Sequence, residues 1–171
     1  MSPGAPDSSR SGRSVILSPV DLTKMTATPI DELAPFVDGD MEAVRVRIGD
    51  RDVHVIGRTR RDASKWSSIA NGDVVLFSGR GAVRRKGTVV HTMKSSALSR
   101  AKWPPEEYGD HEVWDHIVLV AIDGEVEIPY ARLNEASGDS PKYVPFGFRV
   151  MRAEQSARVL SLLEELTRSA H

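Results

Sequence analysis

The apolar residues of this 171-residue chain come in strand-length runs, each closed by a turn signal, and only the last stretch keeps a helical period. That pattern constrains the fold more than any other feature. Val74-Val75-Leu76-Phe77-Ser78 follows the tight turn Asn71-Gly72-Asp73 and reads as a buried strand. A glycine-rich turn at Gly79-Arg80-Gly81 leads into a second strand over 86–93. Residues 114–122 form an apolar strand that Asp123-Gly124 turns into another over 125–129, and residues 147–151 give a last one. Upstream, residues 42–48 alternate apolar and polar, Gly49-Asp50 turns, and the alternation resumes over 51–56, which predicts a β-hairpin. Short helices are expected at 64–70, with Asp62 as N-cap, at 95–102, halted by Pro104-Pro105, and as a single turn at 130–134. Residues 153–168 are amphipathic, with Ala157, Leu160, Leu163 and Leu166 on one face. No internal repeat is visible. Strands separated by short helices, without strict alternation, argue α+β.

Residues 1–14 are Ser, Gly, Pro and Arg without apolar periodicity, and are expected to be a disordered tail. Residues 15–40 hold short apolar pieces broken by Pro19, Pro29 and Pro35, so an irregular arm with one short helix at 29–34 is expected there. The domain proper then spans 41–171. No apolar run approaches the roughly 18 residues of a membrane span, and no secretory leader is visible. The chain has no cysteine, which excludes disulfides, thiolate metal sites and cysteine nucleophiles and fits the cytoplasm.

Net charge is −1, yet its distribution is strongly uneven. Residues 57–103 carry eleven basic residues: Arg58, Arg60, Arg61, Lys65, Arg80, Arg84, Arg85, Lys86, Lys94, Arg100 and Lys102. Against them stand only Asp62 and Asp73, which leaves +9 for the segment. Residues 1–56 are −3 and residues 104–171 are −7. A basic middle between acidic flanks makes a dipolar molecule whose field can collect a polyanion on one face. The plainer alternative is that the charges coat separate solvated surfaces.

Catalytic constellations fail one by one. His111 and His116 are five apart, one residue too many for both imidazoles to share a helical face, so no metal site is expected. Gly79-Arg80-Gly81-Ala82-Val83-Arg84 lacks the third glycine of a dinucleotide fingerprint and precedes a strand, not a helix. No nucleophile elbow or phosphate-binding loop is present. The expectation is therefore a non-enzyme without cofactor or metal. The competing classes are a hydrolase built from histidines and aspartates not visible as a motif, and a protein-interaction domain docking through Leu160, Leu163 and Leu166. The ordinary role of that stripe is core packing.

Three tryptophans remain. Core or half-buried packing is the usual role for each. Trp114 opens a strand and is assigned to the core, while Trp66 lies mid-helix beside Lys65. Trp103 follows a short helix, precedes Pro104-Pro105 and neighbours Lys102, so it is placed on a loop near basic residues, where base stacking needs an aromatic.

The order of these pieces carries a resemblance. Trp66-Ser67-Ser68-Ile69-Ala70-Asn71-Gly72-Asp73-Val74-Val75-Leu76-Phe77 resembles the W-x-x-I-x-x-G-D-x-V-x-F segment of EVE domains. It is followed by Lys86-Gly87-Thr88-Val89-Val90, Ala97 to Trp103, Trp114 to Val120, Ile128 to Asn134 and Gly147-Phe148. Over residues 43–166 the chain resembles the EVE and YTH branch of the PUA-like superfamily. The resemblance implies a strongly curved mixed β-sheet or pseudo-barrel with flanking short helices and a C-terminal helix. It implies a pocket that takes a flipped base against aromatic side chains. Trp103 matches the loop aromatic of the YTH pocket, and the segment Ile56-Gly57-Arg58-Thr59 matches the strand end that supplies the other pocket aromatic, with Gly57 or a neighbour, not tryptophan, at that position. Trp66 is the candidate for that missing wall.

The resulting expectation is a modified-base reader, DNA preferred, serving as the specificity part of a modification-dependent restriction system. A nuclease or NTPase would lie on another chain or segment. The base pocket is assigned to Trp103, Trp66, Ser78, Gly57 and Thr59, with Ser78 or Thr59 reading the base edge. The eleven basic residues hold the nucleic-acid backbone. The alternative is an RNA-binding module reading methylated adenine.

Overall fold

The computed structural model describes residues 12–20, 25–108, 113–145 and 147–169. The expected tail lies outside them except for its last three residues. The sheet has six strands: β1 Val15–Pro19, β2 Val53–Arg58, β3 Val74–Gly79, β4 Ala82–Lys94, β5 His116–Pro129 and β6 Arg149–Val150. Their order is β2-β5-β4-β3-β1-β6. β1 runs parallel to β3, and every other pairing is antiparallel. The helices are α1 Ile30–Leu33, α2 Met41–Ile48, α3 Ala63–Ser67, α4 Ser96–Lys102, α5 Pro105–Tyr108, α6 Tyr130–Ser137 and α7 Ala153–Ser169. The α+β expectation holds.

Alternation along the strands divides the core. Ile16, Ile56, Val75, Phe77, Val89, Val118 and Val120 meet on the concave face of the sheet. On the convex face, Val15, Leu17, Val74, Leu76 and Ile128 pack under Leu133 of α6 and Val159, Leu162 and Leu163 of α7. Farther along, Val53, Val55, Val90, Ile117 and Leu119 pack under Leu33, Val44, Ile48 and Leu98. The curl is strong enough that His54 of edge strand β2 meets Phe77 of β3 edge-on at 5.2 Å, although β5 and β4 lie between them in the sheet. Gly87 sits in the bend. A Cβ there would stand 2.5 Å from Val120 Cγ1 and 2.8 Å from the Ala121 carbonyl oxygen. β4 and β5 change register three times along their length, and such bulges bend a sheet.

Three sequence expectations are corrected. The hairpin over 42–56 is half helix: residues 41–48 form α2, and only β2 is a strand. Asp40 caps α2, its carboxylate accepting from the Glu42 and Ala43 amides at 3.0 and 3.2 Å. Val44 and Ile48, four apart, are buried, whereas Val46 is 74% exposed, so the helical period was hidden inside an apparent alternation. The irregular arm over 15–40 contains β1, an interior strand. Its Val15-Ile16-Leu17 run is buried on both faces, and flanking polar signals gave no hint of that. Asp123-Gly124 is not a hairpin turn. β5 runs straight through it because the 13-residue β4 supplies partners on both sides, and Gly124 adopts a φ of 154°.

Asp73 of the Gly-Asp motif has a structural task. Its buried carboxylate accepts from the Ser14 and Ala70 amides, both at 2.9 Å, tying the start of β1 to the exit of α3. The apolar stripe of α7 is rotated from expectation. Val159, Leu162 and Leu163 are buried with Gln155 and Ser156, and Ala157 faces solvent.

Candidate nucleic-acid interface

The curled sheet does not close, and a cavity of about 460 Å³ opens where the ends of β1 and β2 come together. Pro19 and Val20 line one side, Gly57, Arg58 and Thr59 the other, and Trp103 and Trp114 complete it. α4 delivers Trp103. Ser95 caps that helix by accepting from the Leu98 amide at 3.1 Å, and the Trp103 amide makes its last bond, to Ser99 O at 2.9 Å. Pro104 and Pro105 then stop any continuation. Lys102 ties the same turn down by donating from Nζ to Thr28 Oγ1 at 2.8 Å. Its half-burial holds the ammonium pKa below the usual lysine value.

Trp103 and Trp114 meet at 5.4 Å with their rings 83° apart, so they form a right-angled corner. Such edge-to-face pairs are favourable in themselves, by about 0.5–1.5 kcal/mol. Gly57 makes room for the corner. A Cβ on it would stand 2.4 and 2.5 Å from Trp103 Cζ3 and Cη2, and 3.1 Å from Trp114 Cβ. The space beside Gly57 is thus filled by the tip of Trp103, while the second wall comes from Trp114. Sequence reasoning had placed Trp114 in the core. The apolar run reads as a strand from Trp114, whereas β5 begins at His116 and leaves Trp114 two residues ahead of it, outside the strand's inward-outward alternation.

Of the five residues assigned to the base pocket, Trp103, Gly57 and Thr59 line the cavity. Trp66 does not. Its indole N–H donates to Ile117 O at 3.0 Å, and its ring packs edge-on against His116 at 5.1 Å. Ser78 is 1% exposed beside Pro19 in the β1–β3 register, at a bulge, and its hydroxyl has no partner.

The basic residues divide similarly. Arg58 lines the cavity but its guanidinium is held by Asp62, at 2.7 Å from Nε and 2.6 Å from Nη2, and lies over the Phe148 ring. Arg60 and Arg61 follow Thr59 on a 3-10 turn and are exposed, as are Lys94 and Arg100. Lys65 donates to Phe148 O at 2.9 Å. Arg84 braces the β3–β4 hairpin, donating to Gly79 O and Arg80 O and pairing with Glu127 at 3.1 Å. Lys86 lies against Leu163 and Thr167 of α7. Arg85 pairs with Phe77 in the register, close enough for its charge to act on His54.

His54 is neutral in this setting. Burial first, then the Lys102 charge, lowers its pKa to about 4, against a smaller raising effect of its hydrogen bond to the Thr26 backbone, while Arg85 lowers it further. Its Nδ1 is buried without a partner. Among the described residues no three His, Asp or Glu side chains are placed to hold a metal ion. The His111–His116 pair excluded from the sequence cannot be placed, because His111 lies outside the described residues.

A curled mixed sheet with an α-helical cover on its convex face and a cavity at the strand ends is a fold of the PUA-like kind. The N-terminal domain of Thermococcus gammatolerans McrB bound to m5C DNA shares it, with a TM-score of 0.62 at 15% identity over 90% of this chain and 99% of that one. ASCH from Zymomonas mobilis aligns over 88% of this chain and 96% of its own, at 10% identity and a TM-score of 0.45. No family model matches the chain, and no curated protein matches it in sequence.

Proposed function

We propose that this protein is a non-catalytic reader of a modified base in DNA. The Trp103–Trp114 corner over Gly57 carries the reading. Two perpendicular aromatic faces in an open cavity can stack a base on one side and pack a small apolar substituent on the other. A base inside a duplex cannot reach such a cavity, so it is flipped out. The exposed Arg60 and Arg61 beside Thr59 hold flanking phosphates, and Thr59 reads the base edge. The McrB domain of like fold is bound to m5C DNA, which supports DNA and a modified cytosine as the first probe. The EVE-like order of motifs supports the same class.

The EVE-like order of motifs and the fold shared with the McrB domain support a specificity module. It would act for a nuclease or NTPase carried elsewhere in a modification-dependent restriction system. The test is binding of short oligonucleotides bearing one 5-methylcytosine, one N6-methyladenine or neither, in DNA and RNA. The expected result is preference for a modified DNA, and Trp103→Ala removes about 1–3 kcal/mol of binding from that oligonucleotide alone. Equal loss on modified and unmodified strands, or a fall in Tm that accounts for the loss, refutes the pocket.

A further inference from the structure

Flipping a base leaves a gap in the duplex, and something must occupy it or the flanking pairs lose their stacking. We propose that Val113 is the wedge that enters this gap, an inference that rests on the base-flipping reading above. Val113 is 48% exposed and immediately precedes Trp114, the cavity wall. Single exposed valines are common on protein surfaces. The other large apolar side chains exposed among the described residues are Val46 on α2 and Val144 in the segment after α6; none of the three lines the cavity, but only Val113 is next in the chain to a residue that does.

The chain that follows Val113 is tied down. Trp114 is half-buried against Trp103, and Asp115 O accepts from the Ser95 amide at 2.8 Å. That bond joins the segment to the cap of the helix that delivers Trp103. The wedge and both walls are thus carried on one braced unit, and consecutive Cα atoms lie about 3.8 Å apart. The backbone of Val113 is thus one residue from the corner that would receive the base, where a bound duplex has to approach. Apolar side chains inserted between base steps serve this way because they replace stacking and need no hydrogen-bond partner.

A single strand has no partner stack to lose, so the wedge matters only in a duplex. The experiment measures affinity for one 5-methylcytosine oligonucleotide, single-stranded and as a duplex, with wild type, Val113→Ala, Val113→Phe and Trp103→Ala. Val113→Ala is expected to weaken duplex binding roughly three- to tenfold and leave the single strand unchanged, and Val113→Phe to tighten the duplex. Equal effects on both forms, or none, overturn the wedge. Trp103→Ala separates the two ideas. If it weakens both forms while Val113→Ala spares the duplex, the wedge alone fails. If it changes neither form, the pocket fails and the wedge with it.

Discussion

Gly57 shows how one missing side chain shapes the cavity. Because Trp103 Cζ3 stands 2.4 Å from where a Cβ would be, Gly57→Ala must push the indole outward and open the corner with Trp114. Measured on matched modified and unmodified duplexes, Gly57→Ala is expected to lose discrimination roughly tenfold while binding to the unmodified duplex stays. His54 works on stability instead. Its folded pKa of about 4 lies below the ordinary 6.5, so between those values the unfolded chain binds more protons. Stability is therefore full above pH 6.5 and falls as the pH drops toward 4, by up to about 3 kcal/mol. His54→Leu, which cannot titrate, should flatten the Tm-against-pH curve in that window. An unchanged slope would assign the acid sensitivity to other groups.

At the level of elements, α2 depends on its first turn. Asp40 satisfies two amides there, and Asp40→Ala is expected to cost about 1 kcal/mol in urea unfolding without altering oligonucleotide binding. The same helix marks the limit of what the chain spells out. β3, the body of β4 over 86–93, α4 and α7 were legible because their apolar runs are bounded by turn signals or keep a helical period, although β4 begins four residues earlier, at Ala82. α2 was not, since Val44, Val46 and Ile48 satisfy a period of two while only Val44 and Ile48 are buried. β1 was not, since a five-residue strand buried on both faces has no alternation to display. Within the site, Trp103, Gly57 and Thr59 were legible, because turn chemistry and motif order place them at element ends. Trp114 and Trp66 exchanged roles because the depth of an aromatic depends on the curl of the sheet, which no local pattern encodes.

For the whole molecule, the +9 segment does not act as one surface. Arg84 braces a hairpin and Arg58 is neutralised by Asp62, while Arg60 is exposed one residue on from Thr59 of the cavity. Replacing Arg60 by Ala is expected to make the dependence of log K on log salt shallower by about 1, with no change in base preference. Arg84→Ala should leave that slope alone and lower Tm. The reverse pattern would move the phosphate path to the hairpin.

Val15 N–H donates to Ser156 Oγ at 3.0 Å across 141 positions of sequence, and β1 is clasped between β3 and β6. During synthesis, the first strand must wait for almost the last helix before it can be locked in place. Pro19 and Val20, the wall that β1 contributes, are held by β3 through Val20 N–H and Ser78 O at 3.0 Å, but the other end of the strand is fixed only after α7 has left the ribosome. A nascent or C-terminally clipped chain can carry both cavity tryptophans and all eleven cations of the basic segment and still have a first strand anchored on one side only.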